Sequence, residues 1–134
     1  MPDTELQLPI GVDGDIIAAR QEGRRLAATL SFSPSDLTVI AAAISEVARN
    51  ILTYAGSGQV GIGLVERGGR RGVTIVARDE GPGIADVQLA LQDGYSTSGG
   101  LGLGLPGARR LMDDFDVASE IGRGTVVTMR KWTR

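Results

Sequence analysis

Apolar residues recur at helical spacing over one long stretch of the chain. They fall three or four positions apart at Leu37, Ile40, Ala41, Ile44, Val47, Ala48 and Ile51. Ser33, Pro34 and Asp36 precede this stretch and supply an N-cap, a proline suited to the first helical turn and an acidic residue at the positive helix end. The pattern predicts an amphipathic helix whose apolar stripe faces a core.

Weaker helical patterns occupy three other stretches. Apolar residues recur loosely from Asp13 to Leu30, with Gly23 as a weak point. A further helix is predicted in LPGARRLMDDF, where the apolar positions are Leu105, Ala108, Leu111, Met112 and Phe115. One or two helical turns are predicted in DVQLALQ.

Short apolar runs separated by glycine turns predict strands that pair as hairpins. The first hairpin joins QVGIGLVE to RGVTIVARD through Arg67-Gly68-Gly69-Arg70, and the second joins DVASEI to TVVTMRKW through Gly122-Arg123-Gly124. A short strand is predicted in ELQLPIGV, and Pro9 would confine it to an edge or a bulge. Helices segregated from hairpin-linked strands indicate an α+β fold. We expect a two-layer sandwich with a mixed, mostly antiparallel sheet and helices on one face.

Composition narrows the function classes. At 134 residues the chain is the size of one domain, and with a net charge of -2 it has no basic field for nucleic acid or an anionic membrane. Without Cys or His, the chain forms no disulfide and has neither a thiolate nucleophile nor the usual general base. No signal peptide and no run of about 18 apolar residues is recognisable. We therefore expect a soluble cytoplasmic protein whose catalysis, if any, uses carboxylates, hydroxyls or arginine.

The predicted central helix carries the first candidate site. Glu46 and Asn50 are four residues apart and share one helix face, nearly opposite the apolar stripe. The other residues assigned to that face are small or apolar rather than charged, namely Val39, Ala42, Ala43 and Thr53. This composition favours the lining of a cavity, while a solvated glutamate and an asparagine near a helix end remain the alternative.

Three glycine-containing motifs follow. Asp79 ends an apolar strand and is followed by Gly81 and Gly83, which suits a carboxylate that accepts a hydrogen bond from a planar amine. The segment DGYSTSGGLGLGLPG precedes a helix, whose N-terminal N–H groups attract phosphate. The P-loop pattern is absent, because the one lysine of the chain is Lys131. The last motif places Thr125 after a tight turn; singly, the Asp79 and Thr125 motifs also fit ordinary turns.

The order of these four motifs along the chain resembles the Bergerat-type ATP-binding fold. This fold is shared by gyrase, MutL, histidine kinases and the small serine kinases of bacterial sigma-factor regulation. Within it, DGYSTSGGLGLGLPGARRLMDDF and ISEVARNILTYA are similar to the RsbT-like switch serine/threonine kinases of the stressosome. The resemblance covers nearly the whole chain and implies a single GHKL-type kinase domain over residues 1–134.

The resemblance also implies a role for each motif. Glu46 would be the general base, and Asn50 would bind the Mg²⁺ that bridges the phosphates of ATP or ADP. Asp79 would accept the adenine amine, with Thr125 supporting that side. The pocket wall and the phosphate loop, with Asp93–Ser98 as its lid, would comprise Gly81, Gly83, Ile84, Gly99, Gly100, Leu101, Gly102, Leu103 and Gly104.

The implied activity is ATP-dependent phosphorylation of Ser or Thr on STAS-domain antagonist or scaffold proteins. Two alternatives remain: an anti-sigma factor or phosphatase activator that works by contact, with a sigma factor or a PP2C-type phosphatase as partner, and an ATP-binding protein without turnover. Arg49 is interpreted as structural. Arg67, Arg70 and Arg71 are interpreted as a solvated edge, with contact to a partner as the alternative.

Overall fold

The computed structural model describes residues 6–83 and 104–134 as one sheet with helices packed on it. The helices are α1 (Asp13–Ala27), α2 (Pro34–Tyr54) and α3 (Gly104–Leu111), and the strands are β1 (Leu6–Ile10), β2 (Gly58–Arg67), β3 (Arg70–Asp79), β4 (Asp114–Glu120) and β5 (Gly124–Trp132). The strand order is β1-β2-β3-β5-β4, and all described pairings are antiparallel. The predicted α+β class is confirmed, and the described strands pair without a parallel component.

One face of the sheet forms the core. Its buried side chains come from alternate positions of the three central strands, as the two-residue period of a strand requires: Val60, Ile62, Val73, Ile75, Ala77, Val127 and Met129. They pack in one cluster with side chains of all three described helices, including Ala19, Ile40, Ile44, Val47, Ile51 and Ala108. The described helices therefore lie on the same face of the sheet, as predicted.

Helix α2 begins where the sequence indicates. The Ser33 hydroxyl accepts a hydrogen bond from the Asp36 N–H at 3.1 Å, and Pro34 is the first helical residue. By length and apolar character this helix would also suffice to cross a bilayer. Its apolar stripe is instead buried, with Ile40 and Ile44 at 0% exposure. A helix of this kind is typical of the core of a globular protein.

The first hairpin and the edge strand follow the prediction. Arg67 pairs with Arg70, and the two glycines between them have φ values of 57° and 81°. Positive φ at both central residues defines a type I′ turn, whose twist matches that of the flanking strands. Strand β1, which contains Pro9, lies at one edge of the sheet.

Two predicted helix ends are wrong. Helix α1 ends at Ala27 rather than Leu30. Helix α3 ends at Leu111, and Phe115 belongs to β4, where it pairs with Met129. The helix ends before Asp113 because this residue bonds to β5 instead. The Asp113 N–H donates to the Arg130 carbonyl at 3.0 Å, and the Asp113 carboxylate accepts the Trp132 N–H at 2.8 Å. The helical turns predicted in DVQLALQ lie outside the described residues.

Candidate functional site

Asp79 lies at the end of β3 between two neighbouring strands. It pairs with Gly58 of β2 on one side and with Thr125 of β5 on the other. The residue is 9% exposed, and its Oδ1 accepts the backbone N–H of Gly81 at 2.9 Å. The short Asp79–Gly81 turn therefore fixes the orientation of a nearly buried carboxylate at the end of the central strand.

The glycines around Asp79 permit close approach between parts of the chain itself. A Cβ on Gly58 would overlap the Arg78 carbonyl, and a Cβ on Gly81 would lie 2.6 Å from that of Ala55. Gly83, at φ 81°, faces the Glu120 backbone. The sequence assigned Gly81 and Gly83 to a ligand wall. Their contacts give them a packing role, and the ligand role stays a prediction.

Gly124 allows the last hairpin to approach Asp79. Its φ is 111°, and an added Cβ would overlap the Asp79 carbonyl oxygen. We expect Gly124→Ala to lower the free energy of unfolding by about 2–4 kcal/mol, since it adds a backbone clash to an unfavourable φ. Gly122→Ala is the matched control, because Gly122 has φ 81° but open space where the Cβ would be. Denaturant unfolding would contradict this account if the two variants lost equal stability.

Thr125 is held by a partner that the sequence analysis missed. Its hydroxyl lies 2.9 Å from the Ser119 Oγ, and the two residues face each other across the β4–β5 pair. Thr125 is 5% exposed. The turn at Gly122-Arg123-Gly124 determines which residues of the hairpin face each other, and it places Ser119 opposite Thr125. The contact could therefore have been predicted from the sequence.

Glu46 and Asn50 lie on α2, and Glu46 is paired with an arginine. The Glu46 carboxylate is 11% exposed and lies 3.1 Å from the guanidinium of Arg49, which is 45% exposed. Asn50 is half-buried, and its side chain forms no hydrogen bond with any residue in 6–83 or 104–134. Sequence analysis gave Arg49 a structural role, although its spacing of three residues from Glu46 is that of a helical ion pair.

The face that carries Glu46 and Asn50 is narrower than predicted. Val39 and Ala42 are half-buried and Thr53 is exposed, but Ala43 is at 0% exposure in the core. The prediction that Ala43 lines a cavity is wrong, because α2 packs against α1 and α3 as well as the sheet. Dividing a helix into one buried face and one open face mispredicts burial when other elements pack against several of its sides.

The end of α2 lies beside the end of β3. A Cβ on Gly58 would be 2.9 Å from the Ile51 Cγ2 and 3.1 Å from the Asp79 Cβ, so these two side chains border the same point. Gly81, two residues after Asp79, lies against Ala55 at the C-cap of α2. Asn50 directly precedes Ile51, and Glu46 is about one helical turn further back. Ile51 and Ala55, at the end of α2, therefore border Asp79 and Gly81, while a shared site with Glu46 and Asn50 stays a prediction.

The glycine-rich motif is described only at its last residue. Gly104 is the first residue of α3, and α3 packs against α2. The other predicted members of this motif and the end of the preceding one lie outside the described residues: Ile84, Gly99, Gly100, Leu101, Gly102 and Leu103. Their roles stay predictions.

The described residues contain no ready-made metal site. In the described ranges no group of three or more acidic side chains is arranged to hold a metal ion. Mg²⁺ needs no such group when it binds together with phosphates, because one or two protein oxygens then suffice. The Asn50 amide oxygen is a ligand type that Mg²⁺ accepts in such a complex, and its role stays a prediction.

The chain belongs to the histidine kinase-like ATPase family, whose domain model matches residues 13–131. Within this family, the chain is 52% identical over 125 residues to the serine/threonine-protein kinase RsbT of Bacillus subtilis (strain 168), covering 93% of this chain and 94% of that protein. The predicted membership of the RsbT-like serine/threonine kinases is thereby confirmed. The anti-sigma F factor of Thermoanaerobacter sp. (strain X514) is 30% identical over 119 residues, covering 85% of this chain and 82% of that protein.

Solved structures support the fold. The mycobacterial sensor histidine kinase MprB matches with a TM-score of 0.56 at 20% identity, covering 96% of this chain and 99% of the other. A chain of the SiaB-SiaC complex from Pseudomonas aeruginosa matches with a TM-score of 0.56 at 14% identity, covering 98% and 91% of the two chains. The ATPase fold predicted from the ordered motifs is confirmed.

Proposed function

We propose that this chain transfers phosphate from Mg-ATP to a serine or threonine of a STAS-domain antagonist or scaffold protein. The whole chain would act as one ATP-binding kinase domain in the cytoplasm, as a switch in sigma-factor regulation. The observation that carries this proposal is the buried Asp79 carboxylate, held between β2 and β5 beside the helix that presents Glu46 and Asn50.

Asp79 would select adenine. Its Oδ1 already accepts the Gly81 N–H, which leaves Oδ2 to accept the exocyclic amine of the base. A nearly buried acceptor discriminates strongly between ligands, because an unmatched buried polar group costs about 1–3 kcal/mol. Thr125, directly opposite Asp79 and fixed by Ser119, would support the same side of the base.

Glu46 and Asn50 would serve the phosphate end of the site. Bound Mg²⁺ would supply charge neutralisation at the phosphates. The Asn50 amide oxygen is suited to hold that ion, since Asn50 has no side-chain partner in the described part of the chain. Glu46 would accept the proton of the attacking hydroxyl, a role open to a carboxylate in a chain without histidine.

Calorimetry with Mg-ATP and Mg-ADP is the first test of this site. We expect saturable binding of both nucleotides to the isolated chain, with a rise in thermal stability because the ligand binds the folded state. GTP should bind more weakly, since its base offers a carbonyl oxygen where adenine offers an amine. Absence of both binding heat and thermal shift at saturating nucleotide would contradict the proposal.

Arg49 would position the Glu46 carboxylate. We expect Arg49→Ala to lower phosphoryl transfer by roughly tenfold to a hundredfold, because a misplaced catalytic group loses much of its effect. Nucleotide affinity should be unchanged, and Arg49→Lys should restore part of the rate by keeping the charge. The control is Arg24→Ala, an exposed arginine on α1. Equal rates in Arg49→Ala and Arg24→Ala would remove Arg49 from the site.

A binding function is the second candidate, because the chain is also similar to anti-sigma F factors. In this alternative the chain would act by contact with a sigma factor or a PP2C-type phosphatase, with or without phosphoryl transfer. Co-purification with candidate partners in the presence of ATP or ADP separates the two functions. A stable complex without phosphorylation of any partner would favour binding as the main activity.

A further inference from the structure

A polar cavity lies at the opposite end of β3 from Asp79. Its volume is about 320 Å³, and its lining residues are Arg67, Arg70, Asp113, Asp114, Trp132, Thr133 and Arg134. Nine residue steps of β3 separate Arg70 from Asp79, which corresponds to roughly 30 Å. The cavity is therefore distinct from the proposed nucleotide site.

Both carboxylates of this cavity are already engaged. Asp114 accepts the Trp132 indole N–H at 3.0 Å and lies 3.4 Å from the Arg67 guanidinium. Asp113 accepts the Trp132 backbone N–H at 2.8 Å and lies 3.8 Å from Lys131 Nζ. Neither acidic side chain is therefore left to neutralise the remaining cations.

Two guanidinium groups of the lining remain uncompensated. Arg70 and Arg134 are exposed, and neither forms a side-chain hydrogen bond or ion pair with any residue that the structure describes. This local positive charge is opposite in sign to the net charge of -2 of the whole chain. The lining has three arginine and two aspartate side chains, so a net acidic protein presents a cavity with an excess of guanidinium groups at one end of its sheet.

The cavity wall is formed by side chains that contact one another closely. The Arg67 guanidinium stacks over the Trp132 ring at 4.8 Å from its centroid. Gly72 lies beneath the indole, because a Cβ there would be 2.7 Å from Trp132 Cε3. Arginine and tryptophan are the residue types that most often carry binding energy at protein interfaces. A preformed wall also lowers the ordering cost of binding.

We propose that this cavity is a docking site for a short acidic segment of a protein partner, with Arg70 and Arg134 as the groups that bind its carboxylates. The volume admits a few side chains rather than a folded domain, and the positive charge selects acidic ones. The inference goes beyond the proposed kinase function and does not depend on it, because the docking site requires neither nucleotide nor catalysis.

Trp132 provides a direct measurement, since it is the one tryptophan in the sequence. The probe is a capped hexaglutamate peptide, which has no aromatic group, titrated at low ionic strength without nucleotide. We expect a saturable change in Trp132 fluorescence that weakens with added salt, because the interaction is between exposed charges. Arg70→Glu and Arg134→Glu should each weaken binding by roughly tenfold or more.

The control variant is Arg24→Glu, which makes the same change of charge on α1. It should bind the peptide as the original chain does, and thermal unfolding of all variants checks that they are folded. No fluorescence change, or an equal loss of binding in all three variants, would overturn the proposal. Two further results would overturn it. If inorganic phosphate alone produced the same change in Trp132 fluorescence, the cavity would bind phosphate rather than an acidic segment. If light scattering showed that the chain self-associates through this surface, the occupant would be a second copy of the chain.

Discussion

Replacing Glu46 by glutamine is expected to lower phosphoryl transfer by roughly 10²–10⁴-fold, the usual contribution of a general base. The amide keeps the size and shape of the side chain but no longer accepts the proton of the attacking hydroxyl. Asn50 and Asp79 are unchanged, so nucleotide affinity should stay close to that of the original chain. Single-turnover transfer and calorimetry measure the two effects separately.

Glu22→Gln is a matched control for Glu46→Gln. Glu22 also lies on a helix and also pairs with an arginine three residues later, Arg25, but its pair is exposed on α1. Loss of this pair alone should leave transfer unchanged. If Glu46→Gln transferred phosphate at the original rate, Glu46 would not be the base. If it instead lost nucleotide binding, the carboxylate would have a structural or metal-binding role.

Replacing Asp79 by asparagine is expected to weaken ATP binding by roughly 5–150-fold, equivalent to about 1–3 kcal/mol. The structure explains why neither orientation of the amide is satisfactory. If its oxygen keeps the hydrogen bond from the Gly81 N–H, its NH₂ group faces the donating adenine amine. If the amide turns over, the NH₂ group faces the Gly81 N–H. Each orientation therefore opposes two donors.

Asp116→Asn is the control for Asp79→Asn, because Asp116 is an exposed residue of β4. It makes the same change of charge away from the candidate site. ATP and GTP affinities measured on both variants test the adenine assignment. If neither affinity differed between Asp79→Asn and the original chain, Asp79 would not contact the base.

Local signals predicted α2 and the first hairpin well. The Ser33 cap and the proline at position 34 start the helix through contacts within a few residues. The glycines at 68 and 69 favour the type I′ turn by themselves, without help from distant residues. The end of α3 was not predictable in this way. Asp113 leaves the helix because it bonds to Arg130 and Trp132, which are distant in sequence and become neighbours only in the folded sheet.

The motifs predicted that Asp79 and Thr125 come together, but not the contacts that hold them. Asp79 and Thr125 were assigned to one side of a site, and they face each other in the sheet. The need for glycine at 58 and 124 depends on how closely three strands approach at Asp79, which no local pattern specifies. The ion pair of Arg49 with Glu46 was overlooked, although its helical spacing is visible in the sequence.

Transfer of the terminal phosphate of labelled ATP to a STAS-domain protein is the most direct test of the proposed function. The chain is incubated with Mg²⁺, ATP and candidate STAS-domain proteins from the same genome, beside Glu46→Gln and Glu22→Gln. We expect label on a serine or threonine of one such protein with the original chain and with Glu22→Gln, and almost none with Glu46→Gln. Nucleotide binding without label on any candidate, or equal labelling by all three chains, would contradict the proposed mechanism.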